Sequence, residues 1–139
     1  TERERLHGHA YNVYLGLTTW VEENGMSFDY RYYKKRIYEL CRQLDQIFLM
    51  PQYSPYLTIR EDEEYYYFTF NHKTMPFLKE DVLLMPLTNI TVEELSRWFV
   101  LELIKDKAEL EKHMIEKIVV KVFSAPGQSG SHEWQKPIE

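Results

Sequence analysis

The sequence has little cysteine and no long apolar run. Cys41 is the single cysteine of 139 residues, so no disulfide can form within the chain. A lone thiol fits a reducing compartment, and we expect the protein to be cytoplasmic. No apolar stretch reaches the roughly 18 to 20 residues that a membrane-spanning helix needs, and we expect no signal peptide before the first predicted element. These observations predict a protein without a membrane partner.

Positive charge is scarce as well. Lysine and arginine number 17 against 22 aspartates and glutamates, which gives a formal net charge of −5. A surface that binds nucleic acid needs a broad basic face to neutralise phosphates, so nucleic acid is not an expected partner. A few local cations are still enough to hold a small anionic ligand. The length suits one domain, which we assign to residues 1–139.

Hydrophobic periodicity predicts a strand followed by a helix in the first third of the chain. Residues 7–20 alternate in the manner of a strand. Residues 29–48 carry one apolar stripe at helical spacing, and Ser27 or Asp29 would cap the start of this helix.

The middle of the chain reads as a hairpin-like insertion over residues 56–85. Strand-like runs at 56–60 and 65–71 flank the acidic turn 61–64, and a shorter apolar run follows at 82–85. This segment would either extend the sheet or cover a pocket.

A second helix is predicted from Thr91, where Thr91 and Glu94 form a capping-box pattern, to about Leu110. Residues 118–123 form the last predicted strand, and residues 126–139 are predicted to be a C-terminal loop. This order indicates an α+β fold, with an antiparallel sheet covered by helices on one face. The long strands favour a homo-oligomer that continues the sheet between subunits.

The pattern His7-Gly-His9 is the clearest candidate for a metal site. Two histidines separated by one residue on a strand point to the same face and are able to share one metal ion. The alternative is a pair of polar residues at the start of a strand. A catalytic zinc ion also needs a third protein ligand, and no other histidine has a spacing that nominates it.

Three further polar residues are candidates for a site. Asp45 lies near the end of the first helix, beside the apolar stripe, where a partly buried carboxylate would orient a base or hold a proton; the alternative is a solvated acid at a helix end. Glu93 is not needed for the helix cap and is therefore a candidate for ligand contact. Ser124 ends the last strand on its apolar face and would point into a pocket there. Cys41 is interpreted as a small buried apolar residue.

Several stretches, in order, resemble the family of 6-pyruvoyl-tetrahydropterin synthases and 6-carboxytetrahydropterin synthases. The resemblance covers nearly the whole chain and is carried by its motifs at Leu6-His-Gly-His-Ala-Tyr11, Phe28-Asp29, Leu44-Asp-Gln46, Pro86-Leu-Thr-Asn-Ile-Thr-Val-Glu-Glu-Leu95 and Val122-Phe-Ser-Ala-Pro-Gly-Gln128.

The resemblance implies a T-fold, in which an antiparallel sheet carries two helices on one face. It implies barrel-like trimers that usually pair as hexamers, with active sites between subunits. In this family, zinc held by three histidines binds the side chain of dihydroneopterin triphosphate, and the enzyme is a phosphate-eliminating lyase. A cysteine serves as the base, an Asp–His pair assists, and a glutamate anchors the pterin ring.

Carried over by position, the resemblance makes His7 and His9 zinc ligands, Asp45 the catalytic aspartate, and Glu93 a substrate-binding residue. The third histidine belongs to a first strand that we expect upstream of this sequence.

Three other family positions depart from the pattern. The cysteine position falls near Arg3, Gln46 replaces the histidine partner of Asp45, and Ser124 stands at the position of the anchoring glutamate. Serine cannot reproduce the charged, bidentate pairing of a carboxylate.

Three functions are consistent with these residues. The first is a zinc-dependent enzyme that acts on a reduced pterin, and the second is a non-catalytic pterin-binding or scaffold homologue. The third is an unrelated α+β interaction domain in which the motifs are coincidental. For the first two, we predict that His7 and His9 project together into a cleft between subunits, close to Asp45 and Ser124.

Overall fold

A computed structural model describes residues 6–20, 30–124 and 127–138 of the chain. These residues form eight strands and three α-helices. In chain order they are β1 (Tyr11–Thr19), α1 (Arg31–Leu44), β2 (Phe48–Pro51), β3 (Thr58–Glu61), β4 (Tyr65–Phe70), β5 (Lys73–Leu78), β6 (Val82–Met85), α2 (Val92–Leu103), α3 (Lys107–Lys112), β7 (Ile115–Ser124) and β8 (Gln128–Gln135).

The largest core lies between an antiparallel sheet and the helices. The sheet has the order β1-β7-β8, with β7 in the centre. Ile118, Val120 and Val122 alternate along β7, and each is at most 1% exposed. They pack in one cluster with Leu40 of α1 and Leu95 of α2. The α+β class and the helix-covered antiparallel sheet are therefore confirmed. In the part of the chain that the structure describes, no helix has the length and apolar character needed to cross a bilayer.

Helix α1 is shorter than its apolar stripe predicted. It ends at Leu44, and Asp45 is already extended, with φ −79° and ψ 136°. Gln46 has a positive φ of 56°, which turns the chain out of the helix. Residues 48–51 form β2, which pairs in parallel with β6. The prediction that the helix continues from residue 45 to residue 48 is therefore wrong. The proposed caps, Ser27 and Asp29, lie outside the described residues.

Helix α2 begins where the capping pattern placed it. The Glu94 amide donates to the Thr91 hydroxyl oxygen at 3.1 Å, which confirms the predicted N-cap. The prediction of one helix to about Leu110 is wrong, because α2 ends at Leu103 and Asp106 starts a new helix by accepting a hydrogen bond from the Glu109 amide at 3.2 Å.

The predicted C-terminal loop is also wrong, since residues 128–135 form β8 against β7. Gly130, His132 and Trp134 are the less exposed residues of this strand, and only one of them is a large apolar residue. Gly130 lies against the first turn of α2: an added Cβ would be 2.5 Å from the Glu93 amide nitrogen. A residue without a side chain is what lets the strand approach the helix so closely.

A second antiparallel sheet has the order β3-β4-β5. The predicted hairpin around the acidic turn is confirmed by the pairing of β3 with β4, although β3 begins at Thr58. The third strand, β5, was not predicted. It follows a two-residue turn in which Asn71 and His72 both have positive φ. Positive φ at both central positions is typical of a hairpin turn that matches the strand twist. Phe68 of β4 packs with Met50 and Val82 in a separate cluster.

Candidate functional site

A cavity of about 970 Å³ lies where the approach to β1, the end of α1 and the start of β2 meet. Its wall includes chemically distinct side chains from five separate parts of the described chain. Those that bear on function are His7, His9, Arg42, Asp45, Phe77 and Asp81. A cavity of this volume is within the usual range for a small-molecule site.

His7 and His9 lie side by side in the wall of this cavity. The prediction that they belong to a strand is wrong, because β1 begins at Tyr11 and both residues precede it. Their ring centroids are nevertheless only 4.7 Å apart, so the two imidazoles lie together although they precede the first residue of β1. A Cβ at Gly8 would meet no atom within 4 Å, so packing at this position does not require glycine.

The histidine pair supplies only part of a zinc site. Two neighbouring imidazoles suit a shared zinc ion, which is bound by three protein ligands in catalytic sites. Among the described residues, no group of three histidine, cysteine, aspartate or glutamate side chains is arranged to hold a metal. The described part of the chain therefore provides two ligands at most.

Asp45 and Gln46 both line the cavity. Asp45 is the residue that ends α1, as predicted, and its side chain is exposed, which agrees with the alternative of a solvated acid at a helix end and not with partial burial. Its position beyond the last helical turn leaves it open to water. Gln46 offers hydrogen bonds but does not titrate, so the Asp45–Gln46 pair cannot transfer a proton as an Asp–His pair would.

Ser124 and Glu93 are not among the described residues that line the cavity. Ser124 lies opposite Tyr11 in the β1–β7 register, and Tyr11 does line the cavity, so Ser124 is one strand away from it. Glu93 is exposed in the first turn of α2, beside Gly130. The structure thus brings together three of the five predicted site residues in this cavity.

Helix α1 contributes four residues to the cavity wall that were not predicted as site residues, namely Tyr38, Cys41, Arg42 and Leu44. Cys41 and Arg42 precede Asp45 by four and three residues, the spacing that puts side chains on one helix face, so helical geometry was a usable signal. Burial raises the pKa of the half-buried Cys41 thiol, and the Asp45 charge raises it further. The thiol is therefore protonated at neutral pH and is a poor base.

Phe77 and Asp81 also line the cavity. Phe77 belongs to β5, and Asp81 ends a short 3₁₀-helix, Lys79–Asp81, just before β6. Because β2 and β6 pair in parallel with Phe48 opposite Val82, the residues that precede the two strands enter at the same end of the sheet. No local sequence signal indicated this pairing.

A small α+β domain whose sheet, helix end and histidine pair surround one cavity has the features of a small-molecule site. Comparison with known proteins then gives the family. The family model described as 6-pyruvoyl tetrahydropterin synthase matches residues 1–133, and the chain belongs to this family.

Relatives in sequence and structure agree with this assignment. A protein of Methanocaldococcus jannaschii assigned as a 6-carboxy-5,6,7,8-tetrahydropterin synthase is 26% identical over 130 residues, covering 91% of this chain and 78% of that protein. The crystal structure of 6-pyruvoyl tetrahydropterin synthase from Plasmodium vivax superposes with a TM-score of 0.89 at 29% identity, covering 97% of this chain and 85% of the other. The Plasmodium falciparum synthase gives the same TM-score and coverage at 26% identity.

Two further Plasmodium vivax structures concern the chemistry of that synthase. Each carries a substitution of a catalytic glutamate, which is replaced by cysteine in one and by alanine in the other. A glutamate is thus a catalytic residue in a protein with the same fold.

Proposed function

We propose that this chain binds, and in its assembled form acts on, a reduced pterin such as dihydroneopterin triphosphate. The observation that carries the proposal is the convergence of His7, His9 and Asp45 on one cavity in a chain that belongs to the 6-pyruvoyl tetrahydropterin synthase family. The reaction implied by the family is a zinc-dependent elimination of triphosphate.

His7 and His9 would hold the zinc ion together with a third ligand from outside the described residues. The ring separation of 4.7 Å between centroids supports a shared ion. When bound, zinc would act as a Lewis acid toward an oxygen of the substrate. Asp45, at the edge of the same cavity, would accept a hydrogen bond from the substrate side chain or hold a proton there, with Gln46 fixing its orientation.

We propose a glutamate as the base of this reaction. The family pattern predicts a cysteine near Arg3, but the only thiol of the chain is Cys41 in α1. Its pKa is raised, so this thiol is protonated at neutral pH. Because a glutamate is catalytic in the Plasmodium vivax synthase, the candidates here are Glu2 and Glu4, which flank Arg3 in sequence. Both glutamates lie outside the described residues and are nominated by their positions next to Arg3 in the sequence.

Arg42 suits the anionic end of the proposed substrate. It lines the cavity on the last turn of α1, and an arginine offers paired N–H donors that match phosphate oxygens. A local cation of this kind allows an acidic protein to hold a triphosphate.

We also propose self-association as a trimer or hexamer. Within the described residues, the edge strands β1 and β8 each pair on one side only. Pairing of these edges between subunits would complete the sheet. The substrate contacts assigned to Glu93 and Ser124 depend on such an assembly, because neither lines the cavity of the single chain.

Zinc content and turnover test this function together. In protein purified without chelator, we expect elemental analysis to give close to one zinc ion per chain, lost in a His7→Ala, His9→Ala double variant. The exposed turn residue His72 provides the matched control, and His72→Ala should keep the metal. Release of triphosphate from dihydroneopterin triphosphate should disappear in Glu4→Gln or in Glu2→Gln, but not in Cys41→Ala. A folded protein without zinc and without turnover would refute the enzymatic proposal.

The second candidate function is a pterin-binding homologue that does not catalyse the reaction. The observation in its favour is Gln46, which lines the cavity beside Asp45 at the position where the resemblance expects a histidine. This alternative predicts that the protein binds a pterin but leaves dihydroneopterin triphosphate intact over hours.

A further inference from the structure

The β3–β4–β5 sheet and the segment after it take part in the cavity. Phe77 lies on β5, and Asp81 lies four residues later, at the end of the 3₁₀-helix that leads into β6. Both line the same cavity as His7 and His9. The segment predicted as an insertion of uncertain role therefore forms one wall of the site.

Strand pairing explains why Asp81 is held at this wall. Phe48 is opposite Val82 in the parallel β2–β6 pair, so the residues before these strands, Ile47 and Asp81, lie at the same end. Ile47 directly follows the turn that contains Asp45 and Gln46. Two carboxylates, from Asp45 and Asp81, thus reach one cavity from two segments that are distant in sequence.

An aromatic surface accompanies the Asp81 carboxylate. The rings of Phe48 and Phe77 have centroids 4.9 Å apart and an interplanar angle of 39°. Both side chains are half-buried, and both line the cavity. Paired phenyl rings at a cavity wall give a planar heterocycle an apolar surface to pack on.

The Asp81 carboxylate is available to a ligand. Its side chain is exposed, and within residues 6–20, 30–124 and 127–138 no hydrogen bond or ion pair engages it. A carboxylate accepts two parallel N–H bonds from a guanidine-like group, and such charge-assisted pairs are the strong ones. The 2-amino-4-oxo edge of a pterin has this arrangement of donors. At the position where the family resemblance expects the anchoring glutamate, this chain has Ser124, which is not among the described residues that line the cavity.

We propose that Asp81 is the residue that determines specificity for the 2-amino-4-oxo edge of the pterin ring, which packs on Phe48 and Phe77. This inference rests on the proposed function and adds a subsite to it. The Asp81 carboxylate would bind the pterin edge in place of the glutamate that Ser124 replaces. The ring would then be held by residues of β5 and of the segment between β5 and β6.

Binding of two fluorescent probes to the full chain tests the subsite. Neopterin has the 2-amino group, and the corresponding lumazine has an oxo group in its place. The affinity of the wild-type protein for neopterin should be about tenfold or more above its affinity for the lumazine, because the lumazine lacks one hydrogen bond to the charged carboxylate. Asp81→Asn should lower neopterin affinity to near that of the lumazine. Glu80→Gln, which changes the neighbouring exposed carboxylate outside the cavity wall, should behave as wild type.

The outcomes separate the subsite from the general function. If the wild-type protein prefers neopterin and Asp81→Asn keeps that preference, the Asp81 assignment is overturned while pterin binding stands. If the wild-type protein binds neither probe, both the proposed function and this inference are overturned. Phe77→Leu should lower the affinity for both probes equally and leave the ratio of the two affinities unchanged. An unchanged affinity for both probes would show that the ring does not pack on Phe77. Circular dichroism should show that each variant is folded.

Discussion

The β1-β7-β8 sheet is covered by helices, whereas the β3-β4-β5 sheet packs on a small cluster of its own. Fourteen buried side chains of the described residues form the core beneath the helices, and three form the core of the second sheet. Side-chain hydrogen bonds in the turns of the second sheet add to this small core. In one of them, the Asp62 carboxylate accepts hydrogen bonds from the Glu64 and Tyr65 amides at 3.0 and 2.8 Å.

The two regions therefore contribute differently to the candidate site. The large core fixes the helices and the central strand, and with them the positions of Arg42 and Asp45 at the end of α1. The sheet with the smaller core carries Phe77 and leads to Asp81, and both residues also line the cavity. Regions with few buried contacts open more readily and tolerate more sequence change. Substitutions in the second sheet are therefore able to change ligand specificity without disrupting the main core.

The largest expected effects on stability come from replacing a large buried side chain by alanine in each of the two cores. Ile118 and Phe68 are both 0% exposed and lie in the central strands of their sheets. Ile118→Ala should lower the free energy of unfolding by about 2–5 kcal/mol, measured by urea denaturation. Phe68→Ala should mainly remove hydrogen-exchange protection from β3, β4 and β5, with a smaller loss of global stability.

Lys121→Ala, on the exposed side of β7, is the control for these two variants and should change stability by less than about 0.5 kcal/mol. If Phe68→Ala exposed the amides of β7 as fully as those of β4, the two cores would unfold as one unit, and the contrast between them would be lost.

The fold was predictable wherever the signal was local. Alternation identified β7, the apolar stripe identified most of α1, and Thr91 marked the start of α2. Strands β2 and β8 were missed for a different reason. Residues 48–51 become a strand only through pairing with residues 82–85. In β8, the less exposed positions include Gly130 and His132, so the sequence lacks the alternation of apolar and polar residues that marks a half-buried strand.

A smaller effect is expected where β8 contacts α2. An alanine Cβ at Gly130 would lie 2.5 Å from the Glu93 amide nitrogen, and backbone on both sides limits relaxation. Gly130→Ala should therefore lower the midpoint of thermal unfolding, in line with the roughly 1–3 kcal/mol that overpacking costs. Gly8→Ala is the matched control, because a Cβ there meets nothing within 4 Å. Equal stability of the two variants would contradict the close approach of β8 to α2.

The candidate site was predictable in part for the same reason as the fold. His7, His9 and Asp45 lie in short motifs, and the structure brings them to one cavity. Arg42 was within reach of the same reasoning, since it precedes Asp45 by one helical turn. Phe77 and Asp81 were not predictable in this way. Their position depends on the parallel pairing of β2 with β6, and neither segment has a local sequence pattern that indicates this pairing.

The smallest expected effect is a pH dependence confined to the β3–β4 turn. The Tyr67 hydroxyl donates to Asp62 at 2.6 Å, and this hydrogen bond, with those from the Tyr65 and Glu64 amides, lowers the pKa of the Asp62 carboxyl. A depressed pKa in the folded state means that the stabilisation is fully present above the ordinary aspartate pKa of about 3.9 and is lost as pH falls through the lowered value. Turn amides should therefore lose protection only in acid.

Tyr67→Phe isolates the main cause of that shift. Removing the hydroxyl should raise the pKa of Asp62 toward its ordinary value, followed by NMR titration of the carboxyl carbon, so that the turn loosens at a higher pH than in wild type. Asp62→Asn keeps an acceptor oxygen without a titrating group and should abolish the pH dependence of the turn. Because Asp62 is fully exposed, β7 amides should be unaffected in both variants. An unchanged Asp62 titration in Tyr67→Phe would mean that the backbone amides alone hold the carboxylate.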